Sequence, residues 1–311
     1  MKILVTGAVG FVGRHLTKEL RQAGHDVIMT GLIAETLEGF GRVEALDISS
    51  REQCDNVIRA FKPDAAVHLA GLAHTTNSEK NLNTLFEVNV VGAANVSRAM
   101  SELALANPDK AHSLLFVSSA FVYGGDSTGG TLECDERAAA IPRNKYGESK
   151  LAAEHAVRLF EHRSCKVYVA RPFNHIGPNQ DPSFVVSGFA ARIRDAQYNG
   201  TIETGDLTSI RDFTDVRDIV RGYRQILELS PSERIFVFGS GQPVPIQEIL
   251  DNLIAISGKN ITPKVNPLLL RPKESASYIA STTHAAKVLG WKPEIKLIDS
   301  LNDIWIDINR K

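Results

Sequence analysis

Three side chains in this sequence have the types and the order needed to move a proton on and off a substrate oxygen: Ser119, Tyr146 and Lys150. Tyr146 and Lys150 stand four residues apart in Tyr-Gly-Glu-Ser-Lys, and on a helix that spacing puts both on one face. A phenol titrating near ~10 is a poor acid-base catalyst at neutral pH, and an adjacent ammonium favours the phenolate, so Lys150 is expected to bring Tyr146 down. Ser119, in Ser118-Ser119-Ala120-Phe121-Val122-Tyr123-Gly124, is placed at the end of a strand, where it would hydrogen-bond the oxygen that Tyr146 protonates or deprotonates. Taken alone, the Tyr/Lys pair also reads as a half-exposed helix face. Its company and its order in the chain favour chemistry.

That company begins with Gly7, Gly10 and Gly13. Residues 2–6 are a short apolar run of the kind that forms a buried parallel strand, and a helical pattern starts at Phe11, which leaves room only for a tight turn. Gly7 permits the turn, Gly10 lets backbone approach a pyrophosphate, and Gly13 lets the helix lie against the strand, with Phe11 and Val12 in its first turn. Free N–H groups at the helix start then face the anion. The strand-turn-helix context makes this a dinucleotide site rather than a merely structural turn.

The elements that must position these groups follow in order. Residues 11–23 read as a helix stopped by Gly24, and 26–30 as a second strand. An acid at the end of that strand would hold the ribose of NAD and repel the extra phosphate of NADP. Here Thr30, Gly31 and Leu32 stand instead, and no arginine is beside them in the sequence. NADP(H) is therefore favoured only weakly over NAD(H). Residues 42–45 form a third strand, after which Asp47, beside Ile48, either hydrogen-bonds an adenine amino group or joins Ser49 and Ser50 in capping the helix 51–61; the two roles are compatible. Residues 65–69 form a fourth strand, closed by Leu69, Ala70 and Gly71, small enough at the end for a cofactor to run past; His68 reads as a core-edge histidine. Asn89, on the apolar face of a helix 82–106, must find partners and ties neighbouring backbone together. Residues 113–118 are a fifth strand, 124–137 a polar loop, and 144–160 a helix carrying Tyr146 and Lys150. Alternating strands and helices predict an α/β protein with a doubly wound parallel sheet, whose ligands sit beyond the C-terminal strand ends.

Composition sets the outer limits. With 311 residues, 43% hydrophobic and 23% charged, the chain is long enough for one large core and a smaller lobe. A net charge of -1 gives no basic track for nucleic acid and no membrane-binding face. Three scattered cysteines, Cys54, Cys134 and Cys165, argue against a disulfide framework or a metal site and fit a reducing, cytoplasmic setting. No run approaches the ~18 apolar residues of a membrane span.

Over its whole length the chain resembles the extended short-chain dehydrogenase/reductase superfamily, the NAD(P)-dependent sugar-nucleotide epimerases, dehydratases and reductases. The glycine turn, the Ser119 stretch and Tyr146 to Lys150 carry that resemblance. It implies a Rossmann-type domain over residues 1–172, with later segments returning to it, and a smaller substrate-binding lobe built mainly from 173–311. It further implies that Ser119 and Tyr146 contact the hexose O4, that Lys150 also holds the nicotinamide ribose, and that Asn89 and Pro172 touch the cofactor. The stretches Ala170-Arg171-Pro172-Phe173-Asn174-His175-Ile176-Gly177-Pro178, Arg211-Asp212-Phe213-Thr214-Asp215 and Leu270-Arg271-Pro272 look like the GDP-4-dehydro-6-deoxy-D-mannose reductases and their dehydratase relatives. On that likeness Phe121, Asn174, Val185, Arg211 and Arg271 would contact the substrate. Arginine suits a diphosphate, although Arg211 would equally well pair with Asp212 or Asp215. Residues 290–293, Gly-Trp-Lys-Pro, are expected to end a helix and pack the small lobe.

Departures from the family patterns narrow the expectation. Dehydratases place acidic residues directly after the catalytic serine or threonine, because removing water needs its own acid and base; Ala120 and Phe121 stand here. Epimerases usually carry the acid that Gly31 replaces. The expected activity is therefore NADPH-dependent reduction of a nucleotide-diphospho-4-keto-6-deoxyhexose, in a homodimer. The alternatives are a nucleotide-sugar 4-epimerase with tightly held NAD, and a non-catalytic dinucleotide-binding regulator.

Overall fold

The computed structural model describes residues 1–73, 81–124, 130–270 and 277–310. The first half alternates strand and helix: β1 (Lys2–Thr6), α1 (Phe11–Gln22), β2 (Asp26–Gly31), β3 (Glu35–Leu37), β4 (Gly41–Ala45), α2 (Arg51–Phe61) and β5 (Ala65–His68). Next, α3 (Leu82–Phe86) runs through a π-helical turn, Glu87–Val91, into α4 (Gly92–Leu105), followed by β6 (His112–Val117), β7 (Thr131–Cys134), α5 (Lys145–Arg158) and β8 (Cys165–Pro172). Beyond these come β9 (Asn174–Ile176), α6 (Val185–Asp195), β10 (Thr201–Thr204), β11 (Ile210–Arg211), β12 (Phe213–Asp215), α7 (Val216–Leu229) and β13 (Ile235–Phe238). The chain ends with β14 (Val244–Pro245), α8 (Ile246–Ser257), β15 (Thr262–Val265), β16 (Ser277–Ala280), α9 (Thr283–Leu289) and α10 (Leu297–Arg310).

Eight strands form one sheet in the order β13-β8-β6-β5-β1-β2-β4-β3. All pair in parallel except the short edge strand β3, which runs antiparallel to β4. Order reverses on either side of β1, which places a ligand crevice beyond its C-terminal end. Alternation along β1 sends Ile3 and Val5 into one core and Leu4 into the other. The first core is closed by α1, α7 and α9 (Leu16, Ile219, Leu289), the second by α2, α4 and α5 (Ile58, Val96, Val157). This is an α/β Rossmann-type sheet.

A third, separate core joins α6, α8 and α10 through Phe189, Ile193, Leu250, Leu253, Leu301 and Ile304. All of it lies after residue 172. Between its segments the chain returns to the sheet, laying β13 against β8 and α7 against α1.

Three local expectations change. The polar stretch 124–137 contains β7, which pairs in parallel with β16. Ser50, rather than Asp47, caps α2 by accepting from Gln53 N. Gly290 does end α9, at φ +66, but Trp291 packs in the sheet core rather than the small lobe. Its ring meets Phe238 edge-on at 4.9 Å and its indole N–H donates to the Asp218 carbonyl at 2.8 Å. A large ring with one polar atom settles where both needs are met. Among the described residues, no helix is long and apolar enough to cross a membrane.

Candidate active site

The glycine turn is built by close contacts that a side chain would prevent. Gly7 has φ +67, and a Cβ there would lie 2.9 Å from the Ala70 backbone N. A Cβ on Gly13 would collide with the Gly7 carbonyl oxygen, so α1 is seated directly on the end of β1. No side chain caps α1 at Gly10, which leaves the orphan amides of its first turn for an anion. This turn forms one end of a cleft of about 460 Å³. Phe11 and Val12 line it with the glycines, and Leu69, Gly71 and Pro172 come from the ends of β5 and β8. A cradle that any Cβ would fill, an uncapped helix start and a crevice at the sheet's reversal point fit a dinucleotide.

At the other end of the cleft stand the groups for proton transfer. Ser119 leaves β6 in extended backbone, and its Oγ accepts from Phe121 N at 3.2 Å. Helix α5 starts at Asn144, whose Oδ1 accepts from Gly147 N at 2.7 Å. A Cβ on Gly147 would collide with the Phe121 carbonyl oxygen, so α5 presses onto the turn after Ser119. That approach lets the Tyr146 hydroxyl hydrogen-bond Ser119, while Phe121 meets the Tyr146 ring edge-on at 5.8 Å. Lys150 Nζ donates to the Val117 carbonyl at 3.0 Å and lies 5.1 Å from the Phe116 ring centroid and 5.9 Å from that of Tyr146.

Electrostatics depart from the sequence expectation here. Burial pushes Tyr146 up to about 12, opposed by the Ser119 hydrogen bond. Burial also pulls Lys150 down to about 8, opposed by the Glu154 carboxylate. The phenol is thus raised rather than lowered, with burial the dominant cause. Lys150 is buried and Tyr146 half-buried at the cleft wall, and desolvation disfavours whichever form carries charge.

The remaining expected residues divide by position. Phe121, Asn174 and Val185 line the cleft; Asn174 Nδ2 also donates to the Asp212 carbonyl at 3.3 Å. Asn89 stands behind the wall in the π-turn, accepting from Leu72 N at 2.7 Å and donating to Leu72 O at 3.2 Å and Ser149 Oγ at 3.0 Å. It ties the strand-end loop to α5, and the extra residue of a π-turn is a common device for aiming such a group. Ala70 backs the glycine turn through its contact with Gly7. Ile48 fills the space over Gly92, and Asp47 accepts from Ser49 N at 2.9 Å and Ser49 Oγ at 2.7 Å; neither lines the cleft. Arg211, on β11, lies outside the lining and donates to the Ile210 carbonyl. Its neighbours in sequence are engaged elsewhere: Asp212 holds Ser240, Gly241 and Ala280, and Asp215 holds Arg217 and Ser300. Arg271 lies outside the described residues.

Two lining groups carried no signal of their own in the sequence. His175 stacks on Phe11, 6.2 Å between centroids at 5°, and burial lowers its pKa. Gln180 donates to the His175 carbonyl at 3.0 Å. An arginine also stands beside the glycine turn. Arg14, one residue past the glycine turn, donates through Nε to the Val9 carbonyl at 2.8 Å, and the Val9 methyls lie 3.4 and 3.5 Å from where a Cβ on Gly31 would stand. Only the folded turn reveals this, because α1 and β2 are brought together by the sheet.

The profile of the NAD dependent epimerase/dehydratase family matches residues 3–239. The chain belongs to that family. As an epimerase/dehydratase-family protein, it is 30% identical to the GDP-6-deoxy-D-mannose reductase of Pseudomonas aeruginosa over 98% of this chain and 96% of that one. Its fold matches RMD from Pseudomonas aeruginosa complexed with NADPH at a TM-score of 0.83 and 29% identity, covering 99% of each chain. It also matches the Thermus thermophilus UDP-glucose 4-epimerase in complex with NAD at 0.85 and 25% identity, again over 99% of each. The family member described here is an NAD(P)-dependent sugar-nucleotide oxidoreductase, and a non-catalytic regulator has no support.

Proposed function

We propose that this protein reduces the 4-keto group of a nucleotide-diphospho-4-keto-6-deoxyhexose, with GDP-4-dehydro-6-deoxy-D-mannose to GDP-D-rhamnose as the leading pair. The observation that carries the reading is a Tyr146 hydroxyl held by Ser119 at the cleft wall, beside a turn where Ala120 and Phe121 offer no carboxylate for dehydration. A bound nicotinamide supplies hydride to the sugar C4. The chain's own residues handle the oxygen. Ser119 polarises the carbonyl, and Tyr146 delivers a proton to O4 as negative charge grows there. A phenol pushed up to about 12 keeps its proton at neutral pH and still gives it readily to the far more basic alkoxide, which suits the reducing direction. Lys150 holds the nicotinamide ribose. Gly7, Gly10, Gly13, Phe11 and Val12 hold the pyrophosphate, with Asp47 and Ile48 towards the adenine and Leu69, Ala70, Gly71, Asn89 and Pro172 along the cofactor.

NADPH is favoured over NADH because β2 ends in Gly31 without an acid, and Arg14 offers its guanidinium from the neighbouring turn. Phe121, Asn174 and Val185 face the sugar side, with Arg211 and Arg271 reserved for the diphosphate. Residues 1–172 form the cofactor domain in this reading, and 173–311 mainly the substrate lobe. Exposed Leu82, Phe86 and Val91 fit a homodimer formed through the helices of residues 82–106 and 144–160, and three buried free cysteines fit the cytoplasm. The epimerase relative sustains a second reading, 4-epimerisation with NAD retained.

The deciding experiment follows NADPH oxidation with GDP-4-keto-6-deoxymannose beside the UDP and dTDP 4-keto-6-deoxy sugars, with Tyr146→Phe as control. Oxidation with the GDP sugar, lost by at least ~100-fold in the control, is the expected result. Oxidation only with another nucleotide discards the mannose assignment. No oxidation, together with NAD(H) released from the denatured protein, replaces the reductase by the epimerase.

A further inference from the structure

Beneath the proton-transfer groups lies a buried ionic network that the reaction as described leaves unused. Glu154 follows Lys150 by one turn of α5 and is 4% exposed. Its Oε1 accepts from Ser118 Oγ at 2.5 Å and from Arg171 Nε at 3.0 Å, and its Oε2 accepts from Arg171 Nη2 at 2.7 Å. Arg171, 5% exposed, also donates to the Tyr123 hydroxyl at 3.1 Å, and Tyr123 in turn donates to the Asp135 carbonyl at 2.8 Å. One carboxylate thus joins the helix that carries Tyr146 and Lys150 to the residue before Ser119 and to the end of β8, just before Pro172.

A buried bidentate pair of this kind is seldom a net source of stability, since well-packed apolar residues often do as well. Its position suggests another use. Lys150 is a buried amine surrounded by rings, the Val117 carbonyl and the backbone near Gly71, where a Cβ would lie 3.7 Å from Nζ. The titratable groups around it are Tyr146 on its own helix and His68 on β5. Burial keeps both neutral at physiological pH, the first up to about 12 and the second down to about 3. Glu154 is the opposing charge that acts on Lys150.

We propose that Glu154 is a positioning residue for the reduction: its charge keeps Lys150 an ammonium, and its bonds to Ser118 and Arg171 clamp the ends of β6 and β8 so that Ser119 stays within reach of Tyr146. Arg171 serves this arrangement by fixing the Glu154 carboxylate through two hydrogen bonds. Lys150 and Glu154 are four residues apart on one face of α5, and Glu154, not Arg171, is the charged group that acts on Lys150. The inference rests on the role given to Lys150 in the reductase reading, but its electrostatic content is measurable without turnover.

The test is titration of the Lys150 side chain by NMR in protein carrying 13C at lysine Cε, the signal assigned by its absence in Lys150→Arg. In the unaltered protein the midpoint is expected near 8. Glu154→Gln removes the attracting charge and exposes Lys150 to an unpaired Arg171, so the midpoint falls by more than about one pH unit. Because that variant risks misfolding, the double variant Glu154→Gln/Arg171→Met removes both charges and keeps the volume filled; its midpoint falls by less, yet stays below the original. The alkaline limb of the pH-rate profile moves to lower pH in the same order. An unchanged Lys150 midpoint in a folded double variant overturns the proposal and leaves the pair purely structural. A midpoint that moves as stated in a protein inactive toward every keto sugar sinks the reductase reading instead and leaves the electrostatic link standing.

Discussion

Tyr146 and Lys150 depart from ordinary titration in opposite directions for one cause, removal from water, which makes each favour its neutral form. A phenol in that state is a proton donor first, and the same site run in reverse would have to generate a phenolate against the burial penalty. Arg14 is the side chain whose role is most exposed to test at this scale. If its guanidinium meets the 2′-phosphate as proposed, replacing it by alanine should raise the KM for NADPH roughly 10- to 100-fold and change that for NADH little; equal changes in the two would remove Arg14 from cofactor choice. Ser119, Tyr146 and the glycines were legible because their signal is local, a spacing or a strand end that any helix or turn would display. Arg14 carried no such signal, since its partner is a carbonyl across the folded turn. The titration of Tyr146 was missed for a related reason: helical spacing gives the proximity of Lys150, but burial, which outweighs it, belongs to the assembled fold.

At the scale of elements, the site depends on two helices being pressed against strand ends. Gly13 and Gly147 are the contact points, and at each a Cβ would run into a carbonyl oxygen of the preceding turn. Backbone cannot yield there as a flexible side chain would. Gly13→Ala should therefore displace α1 from β1, cost at least ~1–3 kcal/mol in urea unfolding as overpacking does, and abolish NADPH binding measured by fluorescence titration; tight binding in a folded Gly13→Ala protein would show that the seat of α1 is not what shapes the pyrophosphate cradle. The long elements were legible from their apolar period, α1 to within a residue. Short ones escaped: β3 and β7 have three and four residues, too few for a period to register. The π-turn at Glu87–Val91 escaped because its cause is tertiary, the demand that Asn89 reach both Leu72 and Ser149. Cap chemistry misled for a subtler reason, as Asp47, Ser49 and Ser50 are all competent caps and only the exact start of α2 selects Ser50.

For the molecule as a whole, four histidines, His15, His68, His112 and His175, have pKa values lowered by burial. Each resists protonation more in the native state than in the unfolded chain, so the unfolded chain binds more protons as pH falls below about 6.5, and stability falls with it. His68 sets the scale: with a native value near 3, moving from pH 7.5 to 5.5 should cost it about 1 kcal/mol. Urea unfolding at the two pH values measures this, and His68→Gln should lose less by about that amount; an equal loss in both proteins would assign the acid sensitivity to other groups. The doubly wound sheet was legible at this scale, because alternation of element types needs no knowledge of contacts. The partition of the second half was less so, as Trp291 shows, since an apolar residue states that it will be buried and not in which core. The placement of β13 also bears on how the protein is made. Strand β8 leaves the ribosome before residues 235–238 arrive to cover its outer edge. Throughout that interval a nascent chain displays an unpaired, apolar sheet edge, the kind of surface that chaperones bind and neighbouring chains invade, so translation speed across residues 173–234 governs how long each new molecule is at risk.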